Sequence, residues 1–206
     1  MSEQPSTQSS EQPSVPAPAE WKRRTRAAVR ARRDAMTAEQ RAEAAVGLAE
    51  RMMDLVTARC ARSVSCYLPV GGEPDTRPFI AQAREHGVEV LLPSSRGDGL
   101  LDWIRDTGAG IEIGAYGIPE PVGERLDPLA VAHVDLMLIP ACAVDERGVR
   151  LGWGRGYFDR CLAAMDRRPA VFAVVYAAEL LPELPSEPHD IPVDGVVTPQ
   201  RTVLFG

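Results

Sequence analysis

The residues with the most potential for chemistry lie between Arg150 and Asp159, where three glycines alternate with large or basic side chains. Glycines there would let backbone N–H groups approach an anion closely, and a predicted helix directly after them would add the partial positive charge of its N-terminus. Arg150 and Arg155 would add full charges and forked donors. The segment predicts a phosphate-binding loop, although it is neither a Walker A loop nor GxGxxG. The alternative is a flexible glycine loop that only caps the helix.

Asp159 lies one turn into that predicted helix and has two interpretations. Either it stabilises the helix N-terminus as an acid, or it binds a metal ion carried by the phosphates. Metal–thiolate chemistry is not predicted, because the four cysteines form no CxxC pair and the chain has only three histidines. We expect all the cysteines to be small buried core residues, namely Cys60, Cys66, Cys142 and Cys161.

The run from Ile139 to Asp159 resembles the signature of the 5-formyltetrahydrofolate cyclo-ligase (methenyltetrahydrofolate synthetase) family. It has Phe158 where that family usually has a second tyrosine, and Ala141 where it usually has glycine. The resemblance implies that Asp159 binds Mg²⁺. It also implies an ATP-binding loop made of Arg150, Leu151, Gly152, Trp153, Gly154, Arg155, Gly156, Tyr157 and Phe158.

The reaction implied by this resemblance closes a ring on 5-formyltetrahydrofolate, with ATP as co-substrate and Mg²⁺ as cofactor. Transfer of the γ-phosphoryl group to the formyl oxygen makes that oxygen a good leaving group, and attack by the folate N10 then forms the methenyl bridge. Such chemistry depends on positioning and charge neutralisation more than on a protein nucleophile. The resemblance implies that Arg155 and Tyr157 are catalytic.

The segment Lys22–Arg26 resembles the family's N-terminal Lys-x-x-Leu-Arg, with Thr25 in place of the leucine. The resemblance implies that Lys22 and Arg26 reach the ATP phosphates, and residues four apart do share a helix face. Seven basic residues between Lys22 and Arg33 leave a second interpretation open. They would then form a solvated basic face or an RNA-binding stripe.

Glu73 lies between a predicted strand and a predicted helix and matches the family's Glu-x-x-Thr stretch, which implies contact with the folate pterin. A carboxylate suits a pterin because it accepts two parallel hydrogen bonds from N–H donors. Alternatively, Glu73 is a loop carboxylate in water and Asp75 or Thr76 is a helix N-cap. The resemblance also assigns folate contacts to Leu68, Trp103, Trp153 and Tyr157.

The stretch from His189 to Thr198 matches the family's His-Asp-x-x-Val-Asp-x-Val-Val-Thr pattern. The match implies that Asp190 is a second Mg²⁺ ligand, whereas Asp190 considered alone would be an ordinary loop acid. Residues 116–121 resemble the family's short Gly-Ile-x-Glu-Pro turn.

Two other classes of function stay open. The basic N-terminal helix favours a non-enzymatic nucleotide- or RNA-binding module. A sugar-phosphate isomerase or an acyl-CoA transferase would share the fold alone, and fold does not determine chemistry.

The elements that must position these residues alternate between apolar strands and helices. This alternation predicts an α/β fold, a mainly parallel sheet sandwiched between helices, in a single compact domain that resembles the fold of sugar-phosphate isomerases and CoA transferases. In such sheets ligands bind beyond the C-terminal strand ends. Helices are predicted at 21–35, 38–58 (with Thr37 and Gln40 as a capping box), 77–86 and 156–165, and strands at 64–69, 88–93, 101–105, 134–140, 170–176 and 195–198.

Composition bounds the remaining expectations. Residues 1–20 are nearly all Ser, Gln, Pro, Glu, Thr and Ala and predict a disordered tail, so the catalytic domain spans residues 21–206. The net charge of −6 argues against nucleic acid as the main partner. Without a signal-peptide pattern or a long apolar run, we expect a cytoplasmic monomer that acts on small molecules and not on membranes.

Overall fold

The structure is a computed structural model, and it describes residues 17–114, 117–187 and 190–205. None of the helices in these ranges combines the length and apolar composition that would be needed to cross a lipid bilayer. The α-helices of the described residues are α1 (Pro18–Asp34), α2 (Ala38–Ala58), α3 (Arg77–Glu85) and α4 (Tyr157–Ala163).

The helix ends follow from local capping chemistry. The Thr37 hydroxyl accepts the Gln40 N–H while the Gln40 side chain accepts the Thr37 N–H, which confirms the predicted capping box at the start of α2. Helix α3 ends just before Gly87, whose φ of 74° is left-handed. Helix α1 begins at Pro18, within the predicted tail, because proline is well suited to a first helical turn. Residues 1–16 lie outside the described residues.

The strands form one large sheet and two small ones. The described strands are β1 (Ser63–Ser65), β2 (Glu89–Ser95), β3 (Leu101–Arg105), β4 (Ile111–Ile113), β5 (Pro119–Pro121), β6 (Arg125–Leu126), β7 (Leu136–Pro140), β8 (Ala143–Asp145), β9 (Arg150–Leu151), β10 (Ala170–Val174), β11 (Leu180–Leu181), β12 (Gly195–Val197) and β13 (Thr202–Leu204).

The eight-stranded sheet has the order β13-β12-β10-β7-β1-β2-β3-β6. Its five central strands, from β12 to β2, are parallel, and antiparallel strands lie at both edges. The three-stranded sheet, β11-β8-β9, leaves the main sheet beyond the end of β7. The predicted mainly parallel α/β architecture is confirmed.

Both faces of the large sheet are buried, as the apolar strand runs predicted. On β7, Leu136 and Leu138 point into a core with α2 and α3, whereas Met137 and Ile139 point into a second core with α4. This alternation is the two-residue period of a strand applied to a fully covered sheet. The described residues pack as one domain around these two cores.

Several short elements differ from the predictions. Strand β1 ends at Ser65, earlier than predicted, and two residues further on the Tyr67 carbonyl accepts a hydrogen bond from the Thr76 hydroxyl. The predicted turn at 116–121 contains β5, which pairs with β4 at an edge where prolines are tolerated. Its first residue, Tyr116, lies outside the described ranges. Cys60 is exposed, which contradicts its expected burial, whereas the other three cysteines are buried.

Candidate active site

An open cavity of about 190 Å³ lies beyond the C-terminal end of β7. Three separate segments form its wall: one face of α1, residues 150–159 (the glycine loop and the start of α4), and residues 184–187 with 190 and 191. The lining residues are Trp21, Lys22, Arg26, Arg150, Leu151, Gly152, Gly154, Gly156, Asp159, Leu184, Pro185, Glu187, Asp190 and Ile191.

A small apolar cluster holds these segments together. Val29 of α1 packs against Leu151 at the start of the glycine loop and against Leu184 of the third segment. Arg26 then ties α1 to the loop, because its Nε donates a hydrogen bond of 2.8 Å to the Gly152 carbonyl. Helix and loop are therefore positioned together on one side of the cavity.

Positive φ angles shape the loop itself. Gly154 has φ 95° and Gly156 has φ 69°, values that side chains rarely adopt, so glycine is required at both positions. A side chain at Gly154 would also approach the Arg26 guanidinium, with a Cβ–carbon distance of 3.6 Å. The loop therefore combines backbone that can approach a ligand closely with an arginine beside it.

Two cations of the cavity, Arg150 and Lys22, are paired with carboxylates. The Arg150 side chain is only 4% exposed and pairs with Asp159, whose own side chain is 65% exposed. Burial lowers the pKa of Arg150, an effect that the charges of Asp159 and Asp190 oppose. Lys22 Nζ lies 2.6 Å from Glu187 Oε2 at the other side of the cavity. Phosphate groups entering here would meet cations that are already held in place.

Asp159 and Asp190 line the same cavity, as required of two ligands to one ion. The Asp190 carboxylate is held by the Glu187 N–H at 2.7 Å. No group of three His, Cys, Asp or Glu side chains that could hold a metal occurs in the described residues. Two carboxylates nevertheless fit Mg²⁺, which commonly takes one or two carboxylates together with substrate phosphates and water. His189, next to Asp190, lies outside the described residues.

Glu73 does not line this cavity, and a neighbouring network connects it to the glycine loop. The Val70 N–H donates to its carboxylate at 3.1 Å. Burial raises the pKa of Glu73 to about 7, although the Val70 N–H, the Arg33 charge and the Trp153 indole lower it. Trp153 belongs to the glycine loop. Glu73, which is predicted to contact folate, therefore lies beside that loop.

Sequence analysis missed a buried ion pair next to Glu73. Arg33 and Glu179 are each 1% exposed and form two hydrogen bonds of 2.7 and 2.8 Å. The Arg33 guanidinium also lies 4.9 Å from the centre of the Trp153 ring. One signal was present in the sequence: Arg33 lies four residues after Val29, and so on the apolar face of α1. Five further cavity residues were also missed: Trp21, Leu184, Pro185, Glu187 and Ile191.

Some predicted site residues lie elsewhere. Trp103 is fully buried in the second core and lines neither cavity, and its predicted contact with folate stays a prediction. Leu68 lines a different cavity, of about 250 Å³, together with Leu92. Tyr157 and Phe158 are partly buried against the second core and line neither cavity.

Arg155 lies on the exposed rim of the loop and is not part of the cavity wall. Its carbonyl accepts a hydrogen bond of 2.9 Å from Arg160. The backbone at this position is therefore fixed, and the guanidinium extends from a defined point beside the cavity.

Known proteins resemble this chain over most of its length. The profile of the 5-formyltetrahydrofolate cyclo-ligase family matches residues 18–199. A cyclo-ligase from Mycolicibacterium smegmatis is 37% identical over 69% of this chain and 76% of its own length. The Escherichia coli cyclo-ligase is 34% identical over 84% of this chain and 97% of its own length. The NMR structure of Aquifex aeolicus 5,10-methenyltetrahydrofolate synthetase has a TM-score of 0.76 and 31% identity, covering 89% of this chain and 92% of that one.

Proposed function

We propose, on the premise that this chain belongs to the 5-formyltetrahydrofolate cyclo-ligase family, that it uses ATP and Mg²⁺ to convert 5-formyltetrahydrofolate to 5,10-methenyltetrahydrofolate, releasing ADP and phosphate. Cyclo-ligase activity itself follows from membership of the family. The observation that carries the finer proposal is the single cavity on which Lys22, Arg26, the glycine loop and two aspartates converge.

The wall of the cavity suits the triphosphate of ATP. Lys22, Arg26 and Arg150 supply three cations, and the glycine loop supplies backbone that a phosphate can approach closely. Trp21 lies at the edge of the same cavity and packs against the apolar cluster beneath it. A charged centre with an aromatic side chain at its edge fits a nucleotide better than inorganic phosphate alone.

The proposed reaction moves one phosphoryl group. The formyl oxygen attacks the γ-phosphorus, the bond to the β-phosphate oxygen breaks, and ADP leaves. The folate N10 then attacks the activated carbon and loses its proton, and the carbon–oxygen bond breaks to release phosphate. Arg155 and Tyr157 are the proposed catalytic residues, and the exposed position of Arg155 in the glycine loop supports a contact with the transferring phosphoryl group.

Asp159 and Asp190 are the residues proposed to hold Mg²⁺. A magnesium ion bound there would neutralise charge on the phosphate oxygens during transfer. The pairing of Asp159 with Arg150 means that the ion pair and the metal site share one carboxylate.

The folate is proposed to bind on the Glu73 side of the glycine loop. There Glu73 accepts hydrogen bonds from the pterin, and Trp153 and Tyr157 provide aromatic surface between the folate and the phosphates. Leu68 would contact a part of the folate away from the nucleotide, since it lines the other cavity.

The basic residues of α1 support a nucleotide site over an RNA-binding face. Arg33 is buried with Glu179, and both Lys22 and Arg26 line the cavity. An RNA-binding module would instead bind RNA with a steep dependence on salt and without consuming ATP.

The direct test mixes the protein with 5-formyltetrahydrofolate, ATP and Mg²⁺ and follows the absorbance of methenyltetrahydrofolate. We expect product to form with one ADP released per product, and no product when either ATP or Mg²⁺ is omitted. Product without ATP would contradict the proposal, and so would ADP release that does not depend on folate.

A further inference from the structure

Arg33 makes more contacts than a buried ion pair requires. Besides its two bonds to Glu179, its Nη2 donates to the Ala141 carbonyl at 3.0 Å. Its guanidinium also faces two aromatic rings, with centres 4.9 Å away for Trp153 and 5.6 Å away for Tyr176. One residue of α1 thus contacts the end of β7, the glycine loop and the segment after β10.

These contacts leave one nitrogen of the Arg33 guanidinium without a hydrogen bond among the described residues. That nitrogen, Nη1, is buried. A buried donor without a partner destabilises a fold, so its presence points to a role beyond packing. Arg33 also belongs to the network that lies next to Glu73.

Arg33 also supplies a positive charge that lowers the pKa of Glu73. The groups that act on the Glu73 carboxylate are the Val70 N–H of its own loop and four side chains: Arg33 of α1, Tyr67 after β1, Trp153 of the glycine loop and Glu179 after β10. Among them Arg33 is the cation, and its effect on Glu73 outweighs the opposing effect of Glu179.

We propose that Arg33 is a positioning residue of the folate site: it fixes the Trp153 indole by stacking and supplies the positive charge that the Glu73 carboxylate needs to accept hydrogen bonds from a pterin. Glu179 and the Ala141 carbonyl hold the guanidinium in the orientation that does both. This inference rests on the proposed function, because it assigns the Glu73 side of the loop to the folate. Neither cavity is lined by Arg33, so it acts through the two residues it positions.

The test removes both charges together. Arg33→Met alone would leave Glu179 buried without a partner and would unfold or weaken the protein. In Arg33→Met/Glu179→Gln neither side chain is charged, and the glutamine can still accept the Tyr176 N–H that Glu179 accepts at 2.9 Å. Arg24→Met is the matched control, since Arg24 lies on the same helix with its side chain 68% exposed and pairs with Glu20 at the surface.

In the double variant we expect the KM for 5-formyltetrahydrofolate to rise about tenfold at pH 7, with kcat and the KM for ATP within about twofold of the unchanged protein. Raising the pH should restore the folate KM, because Glu73 ionises again without help from Arg33. A folded double variant with an unchanged folate KM between pH 6 and 9 would overturn the proposal. A lower kcat together with equal increases in the KM for folate and the KM for ATP would overturn it too, because that result would indicate a purely structural role.

A second measurement does not depend on turnover. Titration of the Glu73 carboxyl carbon by NMR, assigned by its loss in Glu73→Gln, should show a higher pKa in the double variant than in the unchanged protein and in Arg24→Met. An unchanged Glu73 titration would overturn the inference about Arg33. Absence of ATP-dependent ring closure in the unchanged protein would instead overturn the proposed function and leave this measurement meaningful.

Discussion

Asp159 is the residue on which two proposed events meet. It pairs with Arg150, which is almost fully buried, and it is also proposed to hold Mg²⁺. Asp159 can fill both roles if ATP binding separates the ion pair. Arg150 would then bind phosphate oxygens, and Asp159 would bind the metal. The exchange replaces one charge-assisted pair by two, which favours binding of the magnesium complex of ATP over ATP alone.

The variant Asp159→Asn should separate these two functions. The amide oxygen can still accept a hydrogen bond from Arg150, so the protein should stay folded, but a neutral ligand holds Mg²⁺ poorly. We expect kcat/KM to fall about 100-fold and the Mg²⁺ concentration for half-maximal rate to rise. Asp159→Ala should additionally lower the unfolding temperature, because it leaves a buried cation unpaired. An unchanged Mg²⁺ requirement in Asp159→Asn would remove Asp159 from the metal site.

Arg155 is proposed to act on the transferring phosphoryl group from the rim of the loop. Its exposed position means that Arg155→Ala should not disturb folding, whereas kcat should fall about 100-fold or more. Arg167→Ala is a suitable control, since Arg167 is also an exposed arginine and lies beyond α4. Steady-state kinetics on both variants decides the matter, and equal rates in the two would exclude a catalytic role for Arg155.

The Glu73 carboxylate should lower the stability of the fold at high pH, where it is also proposed to bind folate. Its pKa is raised by burial from 4.5 to about 7, so its contribution to stability is fully present below about pH 4.5 and is lost as the pH rises through about 7. Glu73→Gln carries no charge and should therefore have a higher unfolding temperature than the unchanged protein at pH 8, with a smaller difference at pH 5. Calorimetry at the two pH values checks this.

The same substitution should weaken folate binding most at high pH, where the unchanged protein has its carboxylate. In the unchanged protein the folate KM should fall as the pH rises through about 7. A Glu73→Gln protein that retained this pH dependence would show that another group titrates.

At the scale of elements, the start of α4 decides the shape of the glycine loop. Gly156 is the N-cap of this seven-residue helix and has left-handed φ and ψ. Arg160 of the same helix reaches back to the Arg155 carbonyl at 2.9 Å and across to the Gly99 carbonyl at 2.8 Å. The loop is thus fastened at its end by one side chain as well as by its backbone conformation.

Gly156→Ala should damage activity more than stability. Its Cβ would lie 2.7 Å from Arg160 Nη1, and the left-handed backbone costs a non-glycine residue about 1–2 kcal/mol. Gly87→Ala is the matched control, because Gly87 has a similar φ of 74° and nothing within 4 Å of the added Cβ. We expect similar losses of unfolding free energy in chemical denaturation, and loss of ATP-dependent turnover in Gly156→Ala alone. Equal activities would show that the loop tolerates displacement.

For the whole molecule, the tail and α1 should differ sharply in importance. A chain that begins at residue 17 keeps every described residue, and we expect its kcat and unfolding temperature to match those of the full chain. A chain that begins at residue 35 lacks Lys22, Arg26 and Arg33, and it exposes the apolar cluster around Leu151. We expect it to lose turnover and to unfold at lower temperature. Reduced turnover in the chain that begins at residue 17 would assign a function to residues 1–16.

Much of the architecture followed from the sequence because it depends on neighbours within a few positions. The Thr37–Gln40 capping box and the stop at Gly87 are local hydrogen bonding and backbone freedom. The apolar run of β7 has to be covered on both faces wherever it lies in the sheet. The alternation of such runs with helices was therefore enough to predict a parallel sheet, and the glycine spacing predicts a phosphate-binding loop after it.

Only the tertiary structure decided which side chains meet. Arg33 and Glu179 are 146 residues apart, and no local pattern pairs them. Trp103 was assigned to a ligand pocket by resemblance, yet its place on β3 turns it into the core. The third wall of the cavity, around Glu187, comes from a loop without a regular pattern. Such contacts depend on how distant segments pack, and sequence spacing carries no information about that distance in space.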